Sequence, residues 1–238
     1  MTAETPTFNR ARHWLVLVPA MTIPFVAAFF YFVLFPGTAF GNSFYTGVKF
    51  FLLIWPMVSI LFILRRARVE RFSVVRHRAS LWPGIAFGVF VVGLMMFLIK
   101  ITPLGTVVDD NGARMAERIE GLGVVEHYLW FSIFISFIHA ALEEYYWRWF
   151  VFGRLRVVVP VNVAHVIAAV GFASHHIVIL SQFFPIGWAI FLGACVGIGG
   201  AFWSWTYQKY GSLWGAWVSH MLVDLGIMWV GWEVLQAQ

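Results

Sequence analysis

The chain has 238 residues, of which 61% are hydrophobic, 19% aromatic and only 11% charged, with a formal net charge of +5. An average soluble domain has about a quarter charged residues. This composition therefore excludes an ordinary soluble globule, and it excludes a nucleic-acid-binding chain because so little polar surface is available. The single cysteine, Cys195, excludes an internal disulfide and a thiolate metal cluster.

Seven apolar runs are long enough to cross a bilayer, since a spanning helix needs about 20 apolar residues. They cover residues 14–35, 44–64, 81–99, 124–152, 157–180, 186–207 and 213–235. Joined by short connections, these runs use almost the whole chain. We therefore predict an all-α polytopic membrane protein with about seven transmembrane helices in a single integral membrane domain over residues 1–238. The first run is long for a signal peptide, so we expect it to be a retained span.

Arginine is concentrated in one connection, residues 65–80, which holds six of them. The N-terminus and the turns after the fourth and sixth runs carry further basic residues, all on the same side if the chain crosses seven times. The positive-inside rule then predicts a cytosolic N-terminus and an external C-terminus. We expect the membrane to be a bacterial or archaeal cell membrane. The arginine-rich connection is a topology signal that also binds anionic headgroups, with a partner-binding patch as the alternative.

Two shorter patterns predict local structure. Between the third and fourth runs, Met115, Ile119 and Leu122 recur at helical spacing among charged residues, which predicts a short helix on the membrane surface. In the sixth run, Gly193 and Gly197 form a GxxxG pattern. This pattern favours close helix packing, with a functional hinge as the alternative.

Ionisable residues inside the apolar runs need an explanation, because each costs about 2.5 to 3.5 kcal/mol at the centre of a membrane helix. They fall into three groups. The fourth run carries Glu143, Glu144 and Arg148, the fifth carries Phe172 followed by His175 and His176, and the seventh carries His220 and Asp224.

Helical spacing indicates which of these residues act together. Glu144 and Arg148 are four residues apart on one helical face, so they can pair and offset each other's desolvation. Glu143 points about 100° away from that face, and a buried carboxyl group of this kind suits general base and then general acid catalysis. His220 and Asp224 are also four residues apart, so the carboxylate can orient the imidazole.

The depth of these groups in the membrane predicts that they converge. Counted from a turn near Val159, Glu143 lies 16 residues before it and His176 lies 17 residues after it, about 25 Å of helix in both cases. The third group lies about 14 to 20 Å in from the turn before the seventh run. We therefore expect one site, in the outer half of the membrane and reached from the non-cytosolic side.

At these residues the chain resembles the CAAX-protease and bacteriocin-processing membrane proteins, a family of glutamate-dependent intramembrane peptidases. The resemblance depends on three motifs in order: EExxxR from Glu143, FxxxH from Phe172, and HxxxN/D from His220. Each of the last two is a weak pattern alone, but together with EExxxR inside membrane spans they are specific. The motifs lie in residues 124–235, so the resemblance covers about half of the chain and implies a CAAX-endopeptidase-like core.

The resemblance implies a role for four of these residues. Glu143 and His176 activate a water for attack on the scissile amide, and His220 and Asp224 hold the oxyanion of the tetrahedral intermediate. Relatives often have asparagine where this chain has Asp224. Because an ionised aspartate would repel an oxyanion, Asp224 must be protonated or must act through His220.

The remaining residues of the motifs are implied to support the site. Glu144 and Arg148 orient the first carboxylate, and Phe172 belongs to the second motif. Three further histidines, His139, His165 and His175, are assigned to packing or polar contacts between helices. For His139 and His165, a supporting role beside the site is the alternative.

We therefore expect a glutamate-dependent intramembrane endopeptidase that cleaves a peptide or the C-terminal tail of a membrane-associated protein by activated-water hydrolysis. The expected partners are such a substrate and the lipid bilayer, with no nucleic acid, no metal and no cofactor. A non-enzymatic transporter or immunity-type protein with a structural polar network is one alternative. Another is a zinc-dependent membrane protease. Its zinc ligands would be Glu143, Glu144, His176 and His220.

Overall fold

The computed structural model describes residues 10–64 and 74–237, and all regular structure in these two ranges is helical. Seven of the helices are long and apolar enough to cross a membrane. This confirms the predicted all-α polytopic fold, and the protein is an integral multi-pass membrane protein. The described helices are α1 (Arg10–Leu34), α2 (Ala39–Leu64), α3 (Val74–Ile101), α4 (Pro103–Asp110), α5 (Gly112–Gly121), α6 (Val125–Val158), α7 (Val161–Leu180), α8 (Ile186–Tyr210) and α9 (Trp214–Gln236).

Several of the spanning helices are longer than predicted, among them α3 and α6. Helix α3 begins at Val74 rather than at residue 81, so the end of the arginine-rich connection is helical, because arginine is a good helix former outside the apolar core. Residues 65–73 of that connection lie outside the described residues. Helix α6 continues to Val158, and the chain turns at Val159 and Pro160, as the depth argument predicted.

The predicted surface helix is α5, but protein covers its apolar face. Met115 and Ile119 are each 8% exposed, and Met115 clusters with Val234 of α9. Leu122, just beyond the end of the helix, is 43% exposed. The apolar spacing is helical as predicted, but Met115 and Ile119 are buried against α9, so α5 contributes to the position of the last span.

Small residues bring α7 and α8 together. A Cβ atom added at Gly197 would lie 3.2 Å from the Cβ of Ala173, and Gly193 packs directly against Ile177. The prediction that the GxxxG pattern serves close helix packing is confirmed. This close approach places α8 against the helix that carries the FxxxH motif.

Helix α6 departs from α-helical geometry where it carries the ionisable residues. The segments Phe134–His139 and Glu144–Phe152 are π-helical, a geometry that is rare in proteins and frequent at functional sites. Seven of the nine residues in the second segment are buried. One of them, Tyr146, donates a hydrogen bond of 2.8 Å from its hydroxyl to the carbonyl of Ala20, which fixes α6 against α1.

Candidate active site

The three groups of ionisable residues come together in the core of the bundle. The side chains of Glu143, His175 and His176 offer polar atoms that all lie within 4.8 Å of one another. From α9, the Nε2 atom of His220 lies 3.7 Å from Oε2 of Glu143. The convergence that the spacing and depth arguments predicted is therefore present, and it joins α6, α7 and α9.

Glu144 is fully buried and has two short contacts. Its Oε1 atom accepts a hydrogen bond of 2.8 Å from Nδ1 of His220 and lies 3.0 Å from Nη1 of Arg148. The relative exposure is 0% for Glu144 and 1% for Arg148. The predicted pair of Glu144 and Arg148 therefore forms, and each charge offsets the burial of the other.

Arg148 lies between two aromatic rings. The centre of its guanidinium group is 4.2 Å from the centroid of Phe172 and 4.8 Å from the centroid of Trp203, so cation–π attraction adds to the ion pair. A Cβ atom at Gly200 of α8 would lie 3.2 Å from Nη2 of Arg148 and 3.0 Å from the Phe172 ring. A glycine at this position therefore leaves room for the arginine.

Trp203 of α8 also holds His220, and sequence analysis did not identify it. The two rings stack with centroids 4.2 Å apart and an interplanar angle of 14°. The indole N–H of Trp203 donates to Oγ of Ser219 at 3.0 Å, which fixes the tryptophan. An aromatic residue in an apolar span is ordinarily a core residue, so the sequence carries no signal for this contact.

The orientation of His220 differs from the prediction. Glu144, and not Asp224, makes the short hydrogen bond that fixes the imidazole, because Oδ1 of Asp224 lies 3.6 Å from Nε2. With Nδ1 engaged by Glu144, Nε2 is directed at Asp224 and Glu143. Glu144, on the neighbouring helix, therefore orients His220. Asp224, one turn away on the same helix as His220, makes a longer and weaker contact with the ring.

Glu143 is contacted by histidines, not by the pair that was expected to orient it. Its Oε1 atom lies 3.5 Å from Nε2 of His139 and 3.5 Å from Nε2 of His175. The assignment of His175 to packing or a polar contact between helices is incomplete, because its ring lies beside Glu143 together with His176. The His175 ring also stacks on Trp147, with centroids 5.6 Å apart and nearly parallel planes. The contact of His139 with Glu143 fits the alternative assignment of His139, a supporting role beside the site.

His176 is held by its own helix. Its Nδ1 atom lies 2.8 Å from the backbone carbonyl oxygen of Phe172. Because a carbonyl only accepts hydrogen bonds, Nδ1 carries the hydrogen and the neutral ring presents the lone pair of Nε2. That atom is then available to accept a proton or to bind a metal ion.

The group of residues that could hold a metal differs from the predicted zinc ligands. Oxygen and nitrogen atoms of Glu143, His175 and His176 are close enough to share one ion. Glu144 already accepts from His220 and pairs with Arg148. The structure therefore assembles a set of one carboxylate and two imidazoles, with His175 in place of the predicted Glu144 and His220.

Two small cavities lie beside Glu143. One has a volume of about 20 Å³ and the other about 50 Å³, and each can hold at least one water molecule. Glu143 lines both of them, with His175 on the first and His139 on the second. Lys49 of α2 lines both cavities as well.

The fold and the site together define a polytopic helical membrane protein with a buried cluster of carboxylates and histidines, which are groups suited to acid–base chemistry. Residues 125–226 match the family model for Type II CAAX prenyl endopeptidase Rce1-like. The match includes all three motifs and confirms the family resemblance, and this family is one of peptidases. No curated protein and no solved structure matches the chain.

Proposed function

We propose that this protein is a glutamate-dependent intramembrane endopeptidase that cleaves a peptide or the C-terminal tail of a membrane-associated protein. The difference between two adjacent carboxylates carries the proposal. Glu143 lines two water-sized cavities, whereas Glu144 is fully buried and engaged by Arg148 and His220. The description of the matching family as a prenyl endopeptidase supports a substrate whose tail is bound to the membrane.

The proposed reaction uses a water molecule held between Glu143 and His176, whose polar atoms lie within 4.8 Å of each other. Glu143 and Nε2 of His176 orient this water, and Glu143 accepts one of its protons as the oxygen attacks the scissile carbonyl carbon. The carbonyl oxygen becomes the oxyanion of a tetrahedral intermediate. When the carbon–nitrogen bond breaks, Glu143 returns the proton to the departing amine, and the products are a new carboxyl end and a new amino end.

His220 is the proposed donor to the oxyanion. Its Nε2 atom faces Glu143 at 3.7 Å, and in the doubly protonated ring this nitrogen carries a hydrogen that the oxyanion can accept. A preorganised donor of this kind lowers the barrier by about 3 to 4 kcal/mol. Asp224 then acts through His220, because its oxygen lies 3.6 Å from the same nitrogen.

The experiment is a mass-spectrometric survey of protein tails in membranes from cells that produce the wild type, Glu143→Gln or neither. We expect a set of shortened C-termini that is present with the wild type and absent with Glu143→Gln. The glutamine keeps the size of the side chain but has no useful proton affinity. The same shortened termini in all three samples would contradict the proposed function.

A zinc-dependent peptidase is the second candidate, and one observation favours it. Glu143, His175 and His176 form a group with the ligand types and closeness that zinc requires. Activity that survives exhaustive chelation favours water activation by the carboxylate and imidazole alone. Stoichiometric zinc in the purified protein, with activity lost on chelation and restored by zinc, would favour the metal enzyme.

We also propose that the site opens on the non-cytosolic side. His176 lies near the end of α7 at Leu180, and the positive-inside rule puts that end outside. In a Cys195→Ser background, an impermeant thiol reagent added to intact cells should label Phe183→Cys and miss Arg156→Cys. The reverse pattern would place the site toward the cytosol.

A further inference from the structure

Lys49 is a charged residue in the interior of a membrane span. It lies ten residues after Ala39, the first residue of α2, which corresponds to about 15 Å of helix. The hydrocarbon core is about 30 Å thick, so this depth is near its middle. A lysine there costs about 2.5 to 3.5 kcal/mol on insertion scales, and its position therefore calls for a compensating interaction.

Among the described residues, Lys49 has a cation–π contact but no ion pair. Its Nζ atom lies 4.9 Å from the centroid of the Tyr45 ring, one turn away on the same helix. Among the residues that the structure describes, Lys49 forms no ion pair with a carboxylate. Its side chain is half-buried, so water does not fully solvate the charge.

The surroundings of Lys49 suit a ligand that has a negative charge at one end and an apolar segment next to that charge. Both cavities next to Glu143 have Lys49 in their walls. The larger one is otherwise lined in part by Leu52, Leu53 and Leu142. A group that enters between α2 and α6 therefore meets a cation, apolar side chains and the proposed catalytic carboxylate together.

We propose that Lys49 binds the C-terminal carboxylate of the substrate and so makes this protein cut near chain ends. The inference rests on the proposed function and deepens it, since it names the feature of the substrate that is recognised. Every tail that is drawn into the membrane brings a terminal carboxylate, and that charge needs a cation there. A lipid phosphate is a poorer match because headgroups lie at the membrane surface, about 15 Å from this depth.

The test compares prenylated peptides that end in cysteine, two aliphatic residues and a fourth residue. One form has a free C-terminal carboxylate and the other a carboxamide. We expect the wild type to cleave the free acid with a kcat/KM about tenfold or more higher, and we expect Lys49→Gln to bring this ratio close to one. Lys49→Arg keeps the charge and should keep most of the preference. Lys100→Gln, at the exposed end of α3, is the matched control and should keep the full ratio.

Several results would overturn the inference. One is equal cleavage of the free acid and the carboxamide by the wild type. Another is that Lys49→Gln keeps the wild-type ratio of kcat/KM for the two peptides, as expected for a lysine that only extends toward the membrane surface. A third peptide with a carboxamide end and a terminal aspartate separates chain ends from acidic side chains. If it is cleaved as well as the free acid, Lys49 does not select the chain end.

A binding measurement separates this inference from the proposed function. If the wild type cleaves no peptide, the proposed function fails. Binding of fluorescently labelled forms of the same peptides to the full-length protein still tests Lys49. Tighter binding of the free acid than of the carboxamide, lost in Lys49→Gln and kept in Lys100→Gln, would support a carboxylate site. Equal binding of the two forms would overturn it.

Discussion

Glu143 and Glu144 are adjacent in α6 but lie in different surroundings. Glu144 is 0% exposed, accepts a 2.8 Å hydrogen bond from His220 and lies 3.0 Å from Arg148. Glu143 has contacts of 3.5 Å or more to its histidine neighbours and lines two cavities. Helix α6 therefore carries two adjacent carboxylates with different surroundings. The charge of Glu144 is offset by short contacts, whereas Glu143 has only longer contacts among its described ion pairs.

This difference indicates what each carboxylate contributes. A buried charge with short contacts is fixed in place, so a substitution around it mainly lowers stability. A carboxylate with longer contacts and a neighbouring cavity can exchange protons with water, so a substitution there mainly lowers the rate of reaction. The predictions below test this division, from the largest expected effect to the smallest.

Arg148→Ala should have the largest effect, because it leaves the charge of Glu144 buried without its cation. Loss of one partner of a buried pair costs about 3 to 5 kcal/mol, so we expect a much lower thermal unfolding midpoint in detergent. The matched control is Arg118→Ala, which removes an exposed arginine of α5. Equal midpoints for the two variants would show that Arg148 does not stabilise the buried side.

His176→Ala should lower peptide cleavage by about 100-fold or more, as expected for loss of acid–base catalysis, and should change the unfolding midpoint little. Its ring bonds within its own helix, to Phe172, so few contacts between helices are lost. His165→Ala is the control. His165 lies 2.6 Å from Gln208 of α8, which confirms its assignment as a helix contact, and its loss should leave cleavage near the wild-type rate. Equal rates for both variants would remove His176 from the mechanism.

Ser219→Ala should lower stability by about 1 to 3 kcal/mol, because it leaves the buried indole N–H of Trp203 without its acceptor. The unfolding midpoint measures this effect. Ser174→Ala, which removes a hydroxyl that donates to the carbonyl of Gly171 in its own helix, should have a smaller effect. If the two variants behave alike, the bond between Trp203 and Ser219 does not help to hold His220.

Asp224→Asn should have the smallest effect, with kcat/KM within about threefold of the wild type, or about 0.6 kcal/mol. Asp224 lies 3.6 Å from Nε2 of His220 and makes no short hydrogen bond there, and an asparagine amide can donate to an oxyanion. Steady-state kinetics of the purified variant provides the measurement. A loss of about 100-fold would show that the reaction needs a carboxylate at this position.

The sequence alone predicts the spans and the meeting of the motifs. Run length fixes which segments cross the membrane, and a rise of about 1.5 Å per residue fixes the depth of each residue along its helix. These two quantities are enough to bring Glu143 and His176 to the same level. The period of about 3.6 residues per turn also pairs Glu144 with Arg148, because residues four apart share a face.

The partners across helices could not be predicted in the same way. Glu144 rather than Asp224 orients His220 because of how α6 and α9 are rotated, and the π-helical segment of α6 changes which directions its side chains take. Trp203 and Lys49 join the site from helices that carry none of the three site motifs. Their roles depend on tertiary packing, which no local sequence pattern predicts.

The rate of peptide cleavage by purified Glu143→Gln tests the central claim most directly. The variant keeps the volume of the side chain and should unfold at the wild-type temperature, because Glu143 has no contact shorter than 3.5 Å among its described ion pairs. We predict that it cleaves peptide at least about 100-fold more slowly than the wild type. Cleavage at the wild-type rate would contradict the assignment of Glu143 as the group that activates water.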